Sequence, residues 1–142
     1  TGDAARALQR RCFLLGEPRY LDAAEKTLQY AEPAMREYPH GHVTLISALE
    51  EYLGHPEIIV LRGDAGEIAR WLDSAAKLYA PRRLLFAIPS DAKDLPGALA
   101  ERKASDETTL AYRCIGTRCD LPVTSWEALA AELSETDDAS RA

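Results

Sequence analysis

No apolar run in the 142 residues approaches the roughly 20 needed to cross a bilayer, which argues against a membrane-spanning helix. Three cysteines are too few for a disulfide scaffold. Cations are the minority sign: 17 Lys+Arg against 23 Asp+Glu leave a formal net charge of −6. A nucleic-acid partner is therefore not expected, because that surface needs clustered Lys and Arg. No glycine-rich phosphate fingerprint, no Walker ending and no nucleophile elbow occurs, so neither a cofactor nor a metal is expected. The chain opens Thr1-Gly2-Asp3, its single Met is Met35, and nothing at the start reads as a signal peptide. The expectation is a piece of a longer cytoplasmic protein. What remains is an ordinary globular composition, 46% apolar and 28% charged.

The first third has helical rhythm. Ala4, Leu8, Cys12 and Leu15 share one face, and Gly16 suits a left-handed cap. From Pro18, a good first helical residue, the stripe runs Leu21, Ala24, Leu28, Ala31, Met35, Tyr38. Pro33 inside it predicts a kink or split near Glu32. A third helix follows Pro39, with Val43, Ile46, Leu49 and Leu53 on one side, ending at Gly54-His55-Pro56. Residues 1–56 thus read as helical hairpins.

At Glu57 the period changes. Ile58-Ile59-Val60-Leu61 is the short continuous run of a strand buried on both faces. Asp64, with Glu67 three positions on, is a capping-box start for a helix carrying Ile68, Leu72, Ala75 and Tyr79. Arg83 to Ile88 is a second strand, parallel to the first through a right-handed crossover, and Arg82-Arg83 is its solvated entrance. Thr108 to Ile115 is a third strand. Thr124 or Ser125 can cap a last helix whose buried face is Trp126, Leu129, Ala130 and Leu133. The fold class is therefore α/β: helical hairpins, then over 57–134 a small three-layer α/β unit with a mostly parallel sheet of about three to four strands. Residues 135–142 form a polar tail, expected to be disordered.

Few residues can carry chemistry. Cys114 and Cys119 are separated by four residues around a glycine turn. A disulfide between them needs the Cα atoms brought close, usually to about 4.4–6.8 Å. A structural zinc site needs four ligands, and there is no second Cys pair. Plain packing of Cys114 in the core and Cys119 at a turn leads these readings, followed by a disulfide or redox-responsive pair and then by a metal. His40 and His42 flank Gly41 at a helix entrance and are the candidates for lining a pocket, or are ordinary loop and capping residues. The turn Gly63-Asp64-Ala65-Gly66 reads as capping rather than phosphate binding, since Asp64 repels an anion.

The segment Leu110-Ala111-Tyr112-Arg113-Cys114, followed by Cys119-Asp120-Leu121-Pro122-Val123-Thr124, resembles the closing AYxC…CxxPxT motif of the thioredoxin-domain-containing proteins related to spermatogenesis-associated protein 20. Tyr20-Leu21-Asp22-Ala23-Ala24-Glu25 is similar to a helical YxxxAE element of that family. The resemblance implies that residues 1–56 are the end of an α/α toroid similar to six-hairpin sugar-processing enzymes. It implies a thioredoxin-like domain outside these residues, in the longer protein. Residues 57–134 would be a closing α/β module without catalysis of its own, with the other domains, or a second copy, as partners. Alternatively, His40 or His42 lends a wall to a carbohydrate pocket, or Cys114 and Cys119 exchange with the thioredoxin cysteines. Arg113 stands where the family carries a small apolar residue, which implies a solvent-exposed face there.

Overall fold

A computed structural model describes the chain from Thr1 to Arg141, with side chains as far as Glu135. It divides into two compact units, Thr1–Pro56 with Pro96–Leu99, and Glu57–Leu95 with Ala100–Ala142.

The first unit is helical. α1 (Gly2–Leu15) ends on Gly16, whose φ of 70° is the left-handed conformation that glycine adopts without penalty. α2 spans Pro18–Glu37, and α3 spans Val43–Leu53 after a short 3₁₀ turn at Pro39–Gly41. Pro33 does not split α2, a correction to the expectation from its ring. It sits in the last two turns, where losing one backbone donor costs little continuity, and the Tyr38 amide still donates to Ala34 O at 3.0 Å. Ala5, Leu28, Met35, Leu45 and Ala48 form the core. Polar ties cross it as well: Gln9 Nε2 donates to Ala48 O at 2.9 Å, and Arg6 and Arg10 both hold Glu51.

The second unit is built on β1 (Glu57–Gly63), buried along its whole length. α4 (Ala65–Ala76) follows, then β2 (Arg83–Pro89), a 3₁₀ segment at Gly97–Glu101, β3 (Leu110–Ile115), β4 (Arg118–Cys119) and α5 (Trp126–Arg141). Asp64 caps α4, its carboxylate accepting from the Gly66 and Glu67 amides at 3.0 and 3.2 Å. Glu67 does not close the box: its carboxylate instead accepts from Thr109 Oγ1 at 2.6 Å. Ser125 caps α5, its Oγ accepting from the Ala128 amide.

The sheet order is β2-β1-β3-β4. The β1–β2 pair is parallel, as a crossover through α4 requires, while β1–β3 and β3–β4 are antiparallel. The expected mostly parallel sheet is thus corrected to a mixed one. β3 enters after a connection of some 20 residues without a full crossover helix, so no handed unit obliges it to run parallel. Ile59 and Leu61 pack with Ile68, Trp71 and Ala75 of α4 and with Leu129 and Leu133 of α5, so both helices lie on one face of the sheet. Two layers result where three were expected among the elements of this unit. α5 continues into the stretch read as a tail; Ala142 and the side chains beyond Glu135 lie outside the described residues.

Candidate functional site

The site begins with a tight hairpin. β3 and β4 are joined by Gly116-Thr117, and Gly116 takes φ 60°, open to glycine at little cost. The turn sets Cys114 directly opposite Cys119 with their Cα atoms 4.0 Å apart, and the two are joined as a disulfide. Packing alone, the leading expectation for this pair, is corrected. A hairpin with a two-residue turn brings positions 114 and 119 together, whereas the linear spacing shows only that they can meet.

The two sulfurs are unequal. Cys114 is 4% exposed, beside Ile58 on the sheet face away from α4 and α5. Cys119, on the edge strand, is exposed. Over that face lies Arg102. Its Nη2 stands 2.9 Å from Cys119 Sγ and 3.5 Å from Cys114 Sγ, and its guanidinium lies over the Tyr112 ring at 5.8 Å from the centroid. Tyr112 is held in turn, its hydroxyl donating to Lys103 O at 2.7 Å. The Arg102 side chain is 16% exposed, and the carboxylate Nη1 approaches, on Glu101, is 3.8 Å away and 78% exposed.

The hairpin's other face is fastened by ions. Glu57 accepts from Arg83 Nε at 2.7 Å and from Arg113 Nε at 2.6 Å, and Arg113 reaches on to Asp120 at 2.9 Å. Arg83 also donates to Leu133 O of α5 at 3.1 Å. Two expectations are corrected here. Arg83 is no solvated entrance, its side chain being 3% exposed, and Arg113, 16% exposed, does not open its face to water. Both arginines neutralise the one buried carboxylate of β1.

The histidines stay apart from this site. His40 is exposed in the 3₁₀ turn. His42 has Nδ1 2.8 Å from Tyr38 O and its ring edge-on to that of Tyr38. Neither lines the apolar groove between α2 and α3, formed by Leu28, Met35, Leu49, Tyr52 and Leu53 under Glu25 and Glu32. His55 packs its ring 4.9 Å from Phe13. Cys12 is a free, buried thiol. Burial pushes its pKa up, with Asp22 adding to the rise against a hydrogen bond involving the Leu21 backbone, so it is held as the unreactive thiol. Among the described residues no group of three or more His, Cys, Asp or Glu is placed to hold a metal ion. Among them also, no helix is long and apolar enough to cross a membrane.

Compared with family models, with curated proteins and with solved structures, the chain finds no match in any of the three. The chemistry therefore rests on the geometry of the hairpin. Arg102 and Glu57 are the two members of that site that reading along the chain passes over. Glu57 and Arg113 do carry a signal, being charges at strand positions among apolar neighbours, where an unpaired charge is too costly to keep. Arg102 carries none: it lies 12 residues from Cys114 in an irregular stretch.

Proposed function

We propose that this chain is a structural and interaction module, without catalysis of its own, whose α/β unit carries a thiol–disulfide switch at Cys114–Cys119. The observation that supports the switch is the bridge between one buried and one exposed cysteine under a guanidinium. The module reading is supported by where the polar side chains go. Glu57, Arg83 and Arg113 bind one another, Glu67 binds Thr109, and Asp64 caps α4, leaving none of them poised as a general base.

The resemblance extends this reading. Residues 1–56 are the last helices of an α/α toroid, a thioredoxin-like domain of the same protein or a second copy is the partner, and the compartment is the cytoplasm. In a reducing compartment a disulfide is transient and regulatory rather than a permanent staple, which is the regime of a switch. The carbohydrate-pocket alternative has less support, since His42 is engaged with Tyr38 and His40 stands in an exposed turn.

Thiol titration of the denatured chain tests the switch. After equilibration with oxidised glutathione, one reactive thiol is expected, Cys12, and all three after reduction. Three thiols in both cases would sink the proposal.

A further inference from the structure

The structure poses a question that cohesion does not answer. Arg102 is mostly buried, yet the groups its Nη2 faces are two neutral sulfurs, which are weak acceptors. Among the described residues the charge on Arg102 is met only by the Glu101 carboxylate, 3.8 Å from Nη1 and mostly in water, and by the Tyr112 ring, so the Nη2 side of the guanidinium is under-compensated. The same position beside a thiolate is a charge-assisted contact, the arrangement that lowers a thiol's pKa. Arg102 is thus better matched to the reduced or half-reduced hairpin than to the closed bridge. The exposures add a direction, because an incoming group can reach Cys119 and cannot readily reach Cys114.

We propose that Cys119 is a thiolation site: a low-molecular-weight thiol forms a mixed disulfide there, with Arg102 as the positioning residue for the sulfur released. The proposal rests on the switch reading above and names its entry point and reactant. The incoming thiol loses its proton to solvent, and its thiolate attacks Cys119 Sγ. A new S–S bond forms to Cys119 as the Cys114–Cys119 bond breaks, and that electron pair leaves on Cys114 Sγ, 3.5 Å from Arg102 Nη2. A second thiolate then attacks the small-molecule sulfur of the mixed disulfide and frees Cys119 as a thiolate beside the same Nη2. In balance, two small thiols are oxidised to one disulfide and the bridge is reduced to two protein thiols.

The test uses the intact 142-residue chain and glutathione. The oxidised protein is treated briefly with reduced glutathione, quenched with acid, alkylated at its free thiols while still acidic with N-ethylmaleimide, and digested with trypsin. Cleavage after Arg113 and after Arg118 places the two cysteines on different peptides, so mass spectrometry reads the adduct directly. The adduct is expected on Cys119; equal labelling of both cysteines, or labelling of Cys114, overturns the entry point. Kinetics then test Arg102. In C114S, the reaction of Cys119 with oxidised glutathione is followed against pH, alone and combined with R102Q or R102K. Removing the cation is expected to raise the Cys119 pKa by about one unit, so the thiolate fraction at neutral pH falls about tenfold. Nucleophilicity rises with basicity, so the net rate falls only about threefold. R102K is expected to restore part of the shift. In the bridged protein, R102Q is expected to lower the equilibrium constant for reduction by glutathione about tenfold, or about 30 mV. Unchanged pH profiles and an unchanged constant in R102Q overturn the positioning role. The peptide map comes from the unsubstituted chain, so it decides the entry point whether or not a variant folds. A bridge that forms while these outcomes fail leaves the switch standing and removes this inference; a bridge that never forms removes both.

Discussion

Each unit buries one glutamate between two arginines, and the two clamps differ in how far water reaches the cations. In the helical unit, Arg6 and Arg10 are 33% and 34% exposed around a Glu51 that is 5% exposed. In the α/β unit, Arg83 and Arg113 are 3% and 16% exposed around a Glu57 that is 8% exposed. The chemistry is the same but the alternatives are not. If Glu51 is lost, its arginines can swing into solvent from helix surfaces. If Glu57 is lost, Arg83 stays against the Leu133 carbonyl, midway along α5, with its charge uncompensated. A buried pair is weak evidence of net stabilisation, yet breaking one from a single side is costly. The comparison therefore predicts unequal penalties for equal substitutions.

Glu57→Ala should show the largest effect, a loss of about 3–5 kcal/mol in urea unfolding, because Arg83 is left buried without its carboxylate and Arg113 loses Glu57 while keeping Asp120. Glu57→Gln should cost less, since the amide oxygen still accepts one hydrogen bond. A Glu57→Ala penalty no larger than that of Glu51→Ala would break the comparison.

Glu51→Ala should come next, at about 2 kcal/mol, the scale of a hydrogen bond to a charged group. This clamp also has a pH signature. Burial alone pushes the Glu51 carboxyl up, but hydrogen bonds from Arg10 and Arg6 outweigh it and hold the pKa below its ordinary value. With the folded-state value depressed, the contribution is complete above the ordinary 4.5 and fades as pH falls below it toward the folded-state value. Unfolding of the unsubstituted chain and of Glu51→Gln should thus converge in acid. A difference that widens there would mean the arginines do not set the carboxyl's state.

Opening the Cys114–Cys119 bridge should rank third. The enclosed loop is short, with a sequence separation of 5, so chain entropy assigns it about 2 kcal/mol at most. The Ile115–Arg118 pairing and the Asp120 amide, which donates to Arg113 O at 2.9 Å, already hold the hairpin closed, so the loss should be smaller. Calorimetry with and without reductant reads it. A loss exceeding that of Glu57→Ala would recast the bridge as a structural staple rather than a switch.

What could be read along the chain was local. The Ile58–Leu61 run, the Gly16 cap and the Asp64 cap each depend on neighbours within about four residues, and each is found. What escaped was non-local. The direction of β3 depends on where a long connection lands, not on residues 110–115 themselves. The Glu57 clamp joins three strands, and Arg102 meets its sulfurs across the sheet face. The disulfide lies between these cases. Its spacing was visible, but the register that closes it was not.

The smallest expected effect sharpens the contrast between the units at their helix ends. α1, α2 and α3 begin without a side-chain cap hydrogen bond, whereas α4 begins on Asp64 and α5 on Ser125. Helices that start uncapped owe their stability to the packed face, while α4 also satisfies two otherwise orphaned amides. Asp64→Ala should therefore cost about 1 kcal/mol. Glu17→Ala, at the uncapped start of α2, should stay within about 0.5 kcal/mol, because Glu17 offers only an exposed pair with Arg19. Asp64→Asn separates the two sources of the capping effect. It keeps an acceptor for the Gly66 and Glu67 amides but removes the charge that favours a helix N-terminus, so it should recover more than half of the loss at low salt. If Asp64→Asn is as damaging as Asp64→Ala, the charge rather than the hydrogen bonds holds the start of α4, and the penalty should then shrink as salt is added.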